Sequence, residues 1–165
     1  VRNLNYDIEQ WISVARSMSL RPDRDQYFLA MAMLASSRST CARAARGCVL
    51  VSEEGHVLAT GYNGVGPGET HCLQDGPQCE GAVGLRSGEG LDLCEATHAE
   101  ANALVQCSDP RRIATCYSTV SPCMSCMKLL KATGCRTLVF LAPYADWDRV
   151  RVSWERAGRS WRQWE

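Results

Sequence analysis

The chain has 165 residues, 45% of them apolar and 22% charged, ordinary values for one globular domain able to bury its own core. Its 18 basic and 18 acidic side chains cancel, which argues against a polymeric nucleic acid as partner and leaves room for a small anion held by one or two local cations. No stretch is apolar enough to cross a bilayer, and residues 1–20 carry scattered charges where a signal peptide would have an apolar run, so a single cytoplasmic domain over residues 1–165, without a membrane partner, is expected.

Residues 7–19 place Ile8, Trp11, Ile12 and Val14 or Ala15 near helical spacing and predict an amphipathic helix, broken at Pro22-Asp23. Within residues 1–20 it reads as an accessory or oligomerisation element. A second helix is predicted from about Asp23 to Ser37, followed by the polar joint S-S-R-S-T-C at 36–41. G-C-V-L-V-S and H-V-L-A-T-G-Y then read as two strands of a hairpin around E-E-G. Residues 63–93 are rich in glycine with little periodicity, and a structureless loop of that length needs an anchor. Residues 98–107 read as a helix, 115–120 as a strand, 122–133 as a helix opening on Pro122, 136–141 as a strand and 146–158 as a final helix. Strands alternating with helices after a hairpin favour an α/β layered domain whose sheet is partly parallel.

Ten cysteines stand out. In a small secreted chain they would predict a disulfide framework; here the alternatives are buried thiols and metal ligands. The run S-P-C-M-S-C at 121–126 sets Cys123 and Cys126 on the opening turn of a helix, whose partial positive charge favours thiolates. Alone, this pair suits a redox couple as well as a metal site. Upstream, T-H-A-E at 97–100 supplies a nitrogen ligand in His98 and a carboxylate in Glu100. Three protein ligands leave a fourth position for water, the pattern of catalytic zinc. Residues two apart do not share a face in mid-helix, so the helix must begin here, with His98 at its mouth and Glu100 in its first turn. Taken alone, Thr97-x-x-Glu100 is also a capping box.

The joined motif H-A-E and P-C-M-S-C resembles the H-x-E…P-C-x-x-C signature of the zinc nucleobase deaminases. Zinc makes water a nucleophile near neutral pH, and Glu100 would move its proton to ring N3 and later deliver one to the departing amine. That motif fixes a reaction type and not a substrate. S-S-R-S-T-C at 36–41, T-G-Y-N-G at 60–64, H-C at 71–72 and C-E-A-T-H-A-E-A-N-A at 94–103 occur together in this order, and over roughly residues 27–145 the chain resembles the deoxycytidylate (dCMP) deaminases.

The resemblance implies a three-layer α/β/α domain with a central mixed sheet of about five strands. It implies hydrolytic deamination of dCMP to dUMP and ammonia, a homo-oligomer built on dimers up to a hexamer, and dCTP and dTTP as effectors. Residue by residue, Glu100 is the catalytic acid and base, and His98, Cys123 and Cys126 hold the catalytic zinc. Asn63 meets the sugar hydroxyl, the backbone at Ala99 and the turn at Ser121 meet the pyrimidine edge, and Tyr144 packs on the substrate. Arg38, helped by Ser37 and Ser39, takes the 5′-phosphate. Matching cysteines imply a second, structural zinc on Cys41, Cys72, Cys79 and Cys94, with His71 a rival fourth ligand; such a site would anchor the long loop.

Against these roles stand plainer ones. Arg38 could be a solvated cation, Tyr144 a core-rim tyrosine and Asn63 a left-handed turn residue before Gly64. Cys48, Cys107, Cys116 and Cys135 lack complementary partners and read as buried thiols. One run departs from the family: many relatives have G-Y-N-G-x-P-x-G, whereas here G-Y-N-G-V-G-P-G places the proline one position late, in a loop that contributes to effector binding in regulated relatives. The alternatives in function are a deaminase of dCTP or a 5-substituted dCMP, a tRNA or polynucleotide deaminase, against which the neutral charge weighs, and a non-catalytic zinc module, against which Glu100 weighs.

Overall fold

The computed structural model describes residues 8–17, 21–72, 79–82, 89–90 and 93–164. Strand β1 (Gly47–Ser52) is buried at every position, as expected of a strand covered on both faces. Its side chains alternate between two cores: Cys48 and Leu50 enter one, Val49 and Val51 the other. It pairs antiparallel with β2 (Val57–Tyr62), the hairpin foreseen around Glu53–Gly55, and antiparallel on its other side with β3 (Ile113–Val120). β4 (Thr137–Ala142) and β5 (Ser160–Gln163) continue the sheet in parallel, giving the order β2-β1-β3-β4-β5. This is the five-stranded mixed sheet that the resemblance implies.

One layer is built on α2 (Arg24–Ser36), which follows the short α1 (Ile8–Ser17). Asp23 and Gln26 form a capping box at its start, the Asp23 carboxylate accepting from Gln26 N at 2.8 Å and the Gln26 amide oxygen from Asp23 N at 2.9 Å. Phe28, Leu29 and Ala32 pack on Val49, Val51, Tyr117 and Val139. The opposite layer comprises α3 (Ala99–Gln106), α4 (Met124–Lys131) and α5 (Trp147–Glu155), which bury Ala103, Met127, Leu130, Val150 and Trp154 against Cys48, Leu50, Cys116, Leu138 and Phe140. Each large side chain so buried contributes roughly 1.5–3 kcal/mol.

Two glycines set how closely the helices approach. A Cβ on Gly47 would lie 2.0 Å from Ala32 O, so α2 rests directly on β1. A Cβ on Gly61 would lie 2.2 Å from Ala99 O and 2.5 Å from Ala103 N, so α3 rests on β2 in the same way. That second contact fixes the position of the helix that starts at His98.

The structure departs from the sequence expectations at four places. β5 is a strand that hydrophobic pattern does not announce: Ser160, Arg162 and Gln163 are exposed, and only Trp161 turns inward, stacking on Phe140 with centroids 6.0 Å apart and meeting Trp147 edge-on at 5.2 Å. α4 begins at Met124 rather than Pro122, with Cys123 as its N-cap. α5 stops at Glu155, and the chain then turns through Gly158 at φ +69°. Asn63 is no left-handed turn residue, since among the described residues only glycines have positive φ.

Candidate active site

β3 ends at Val120, and Pro122 disfavours helix at Ser121, so the chain leaves the sheet extended before α4 can start. Cys123 is therefore the N-cap of α4, at φ −71° and ψ 171°, and His98 is the N-cap of α3, at φ −65° and ψ 152°. Neither side chain caps its own helix. The Thr97-x-x-Glu100 capping box is thus not formed. Both side chains turn instead to a common point: His98 Nδ1 lies 3.3 Å from Cys123 Sγ and 3.5 Å from Cys126 Sγ. All three ligand atoms fall within 4.8 Å of one another, the one such trio among the described residues.

These separations fit zinc. Tetrahedral coordination with Zn–S of about 2.3 Å and Zn–N of about 2.0–2.1 Å places sulfur and nitrogen about 3.6 Å apart. Two helix N-termini point their partial positive charge at the same place, which favours thiolates. The hydrogen bond from Cys126, aided by His98, pulls the Cys123 thiol down to about 4 against its burial. Cys126, the donor of that pair, is pushed up by the same bond and by burial. His98 is raised by its hydrogen bond with Cys123, more than burial lowers it.

Glu100 stands in the first turn of α3, 5% exposed, and burial raises its carboxyl above the ordinary range. It lines a cavity of about 430 Å³ together with His98, Cys123, Asn63, Ala99, Ser121 and Tyr144. Seven of the residues that the sequence assigns to the catalytic centre therefore share one concave site, and Cys41 and Cys94 of the second cysteine set line it too. The arrangement could hold a metal ion on three ligands beside the Glu100 carboxylate in one cavity.

Hydrogen bonds show how the walls are held. Asn63 Oδ1 accepts from Ser39 Oγ and from Arg46 N, each at 2.7 Å, and its Nδ2 donates to Ala44 O at 2.8 Å. Asn63 thus ties the segment from Ser39 to Arg46 onto the end of β2, with one amide hydrogen left for a ligand. Ser121 Oγ accepts from Tyr144 N at 2.8 Å and so fastens the Tyr144 turn to the end of β3.

The three residues to which the motif gives the phosphate, Ser37, Arg38 and Ser39, lie outside this cavity lining. Arg38 and Ser37 are exposed and do not line the cavity. Ser37 Oγ donates back to Leu34 O at 2.7 Å, closing the end of α2, and Ser39 is buried against Asn63. The cations that do line the cavity are Arg43 and Arg46. The only sequence signal for them is their place in C-A-R-A-A-R-G, two charges among small residues directly before a buried strand.

The four cysteines of the second site come near one another without closing on a single point. Cys72 and Cys79 sulfurs lie 3.8 Å apart, and Cys79 also hydrogen-bonds Cys94. Cys41 lies within electrostatic reach of Cys72 and Cys94. No three of these sulfurs fall within 4.8 Å of one another. Gly81 makes the approach of the loop to Cys94 feasible, since a Cβ there would sit 2.7 Å from Cys94 N and Cα. His71 is exposed beside buried Cys72. Cys48, Cys107, Cys116 and Cys135 are buried, Cys48 and Cys116 with sulfurs 3.5 Å apart.

Known proteins resemble this chain in sequence and fold. The family model for the cytidine and deoxycytidylate deaminase zinc-binding region matches residues 22–142. The deoxycytidylate deaminase of Mycobacterium phage D29 is 42% identical, over 73% of this chain and 95% of the phage protein. The deoxycytidylate deaminase of Schizosaccharomyces pombe is 34% identical over 97% of this chain, which spans only 51% of the yeast protein's length. The solved structure of the cyanophage S-TIM5 dCMP deaminase in complex with dCMP and dUMP shares the fold, with a TM-score of 0.67 at 24% identity over 88% of this chain and 99% of that one. With its His-Cys-Cys trio inside the matched region, the chain belongs to the cytidine and deoxycytidylate deaminase family.

Proposed function

We propose that this chain is a zinc-dependent hydrolase that converts dCMP and water to dUMP and ammonia. The observation that carries the reading is the cavity's polarity: the buried carboxylate of Glu100 stands beside His98 and Cys123 in a cavity that Arg43 and Arg46 also line. One feature suits a reacting amidine carbon, the other a phosphate. The names borne by the phage and yeast relatives support the same substrate.

His98, Cys123 and Cys126 would hold a zinc ion, which would supply the Lewis acidity that makes water nucleophilic at neutral pH. Glu100 takes one proton of the attacking water and passes it to ring N3, so that C4 becomes electrophilic; it then takes the proton of the added hydroxyl and gives it to the amine as the C4–N bond breaks, leaving the C4 carbonyl and ammonia. The Ala99 N–H and the Ser121 turn orient the pyrimidine edge, and Tyr144, fixed by Ser121, packs on the base. The remaining Asn63 amide hydrogen meets the sugar hydroxyl. Arg43 and Arg46 receive the 5′-phosphate, in place of Arg38.

The proposal extends to a second, structural zinc on Cys41, Cys72, Cys79 and Cys94, supported by the 3.8 Å spacing of Cys72 and Cys79 sulfurs, close to what a shared zinc imposes. It extends also to a dimer-based assembly of single-domain subunits, for which exposed Tyr27, Met33 and Leu34 on α2 offer apolar surface. dCTP and dTTP are the candidate effectors, and the cytoplasm is the compartment. Ammonia release from dCMP, dCTP, deoxycytidine and a tRNA stem-loop, compared at equal concentration, tests the substrate: dCMP is expected to lead, and a preference for any of the others refutes the assignment.

A further inference from the structure

A second cavity, of about 530 Å³, opens at the opposite end of the sheet, where the parallel strands begin. Register aligns Thr115 of β3 with Thr137 of β4, and Thr137 with Ser160 of β5. Three hydroxyls therefore form a row across three neighbouring strands on one face, with Thr137 Oγ1 and Ser160 Oγ 3.0 Å apart. The next row on that face, from Tyr117 to Val139, is buried under α2. The hydroxyl row lies beside the start of that helix, at Arg24, and lines the cavity.

Four arginines line this cavity, Arg24, Arg136, Arg159 and Arg162, but the Arg159 guanidinium turns to the opposite layer, 4.9 Å over the Trp154 ring and onto the carbonyls of Leu130 and Lys131. Arg162 is neutralised by Asp25, which it meets with two hydrogen bonds of 2.9 and 3.0 Å. Arg24 and Arg136 are not. Arg24 donates to the carbonyls of Ser52 and Glu53 at 3.1 and 3.2 Å. Carbonyls fix a guanidinium without cancelling its charge. The Arg136 guanidinium has no hydrogen bond or ion pair among the described residues, and Glu53 is the one carboxylate in the lining. Arg24 and Arg136 against Glu53 thus leave this cleft a surplus of positive charge, at the other end of the sheet from the cations of the active site.

We propose that this cleft binds an oligophosphate. Fixed guanidiniums match phosphate oxygens in pairs, and the row of Thr115, Thr137 and Ser160 supplies neutral donors along one line. The volume lies within the range of small-molecule sites, roughly 300–1,000 Å³, and exceeds what one phosphate ion fills. The ligand is either a free inorganic oligophosphate or the phosphate tail of a nucleotide.

Calorimetric titration of the zinc-loaded full chain with inorganic tripolyphosphate, orthophosphate and ATP tests this. Tripolyphosphate is expected to bind once per chain, more tightly than orthophosphate. Its binding should survive Arg46→Ala, which alters the active cavity, and weaken about tenfold or more in Arg136→Ala and in Arg136→Glu, with deaminase turnover unchanged in both. Equal affinity for ATP assigns the site to the inorganic chain, and affinity at least tenfold higher for ATP assigns it to a nucleotide tail. No binding at millimolar tripolyphosphate, binding indifferent to both Arg136 substitutions, or binding lost in Arg46→Ala would overturn the proposal.

Discussion

Cys123 Sγ lies 3.3 Å from His98 Nδ1, although the two residues cap different helices and are 25 positions apart in sequence. An N-cap side chain ordinarily accepts a backbone hydrogen bond from its own helix, and neither of these does. Both helices forgo a stabilising cap so that two ligands can meet. Substituting Cys123→Ser, which could restore a cap, is therefore expected to remove one zinc equivalent by elemental analysis and abolish turnover while leaving the helices folded by circular dichroism.

Arg46→Ala should raise KM for dCMP by about ten- to a hundredfold, the loss of a charge-assisted contact, and change turnover of deoxycytidine little. Arg38→Ala should change neither. Steady-state kinetics on both substrates separates the cavity cations from the exposed one, and a KM effect confined to Arg38→Ala would restore the role that the motif implied.

The pairing of Asp25 with Arg162 sets a pH dependence of stability. Burial pushes the Asp25 carboxyl up, but hydrogen bonds from Arg162 and Tyr117 together outweigh it and hold the group below its ordinary value. A carboxyl depressed in the folded state stabilises above its unfolded pKa, near 4, and loses that contribution as pH falls through the folded value. Thermal melts of Asp25→Asn should lie below those of the parent at pH 7, and the gap should close as pH falls below about 4.

Gly61→Ala should disturb the site from a distance. The added methyl would meet Ala99 O at 2.2 Å, a backbone atom that cannot move without α3. Overpacking of this kind costs about 1–3 kcal/mol. Because α3 carries His98 and Glu100, the variant should lose activity and zinc affinity along with melting temperature, whereas an Ala at exposed Gly68, where nothing lies within 4 Å, should keep activity despite its strained φ of +87°.

His98, Glu100, Cys123 and Cys126 are legible in the sequence because metal chemistry demands particular atoms at short spacings, and those spacings survive as strings. The two core layers are legible because strand alternation and helical periodicity both point inward. β5 is not, since its place rests on parallel hydrogen bonds to β4 and one inward tryptophan rather than on its own apolar pattern. Arg43 and Arg46 are not, because what makes them part of the site is the Asn63 clasp, a contact between segments 17 residues apart. Arg38 is the converse case: it sits in the motif, but at the end of α2 it is exposed and outside the cavity lining.

Turnover and zinc content of Glu100→Gln, measured on the same preparation, test the central claim most directly. A buried acid–base group beside an intact His98, Cys123 and Cys126 trio predicts full zinc occupancy of that site and dCMP turnover reduced by roughly 10²–10⁴-fold or more. Turnover near that of the parent, with zinc retained, would contradict it.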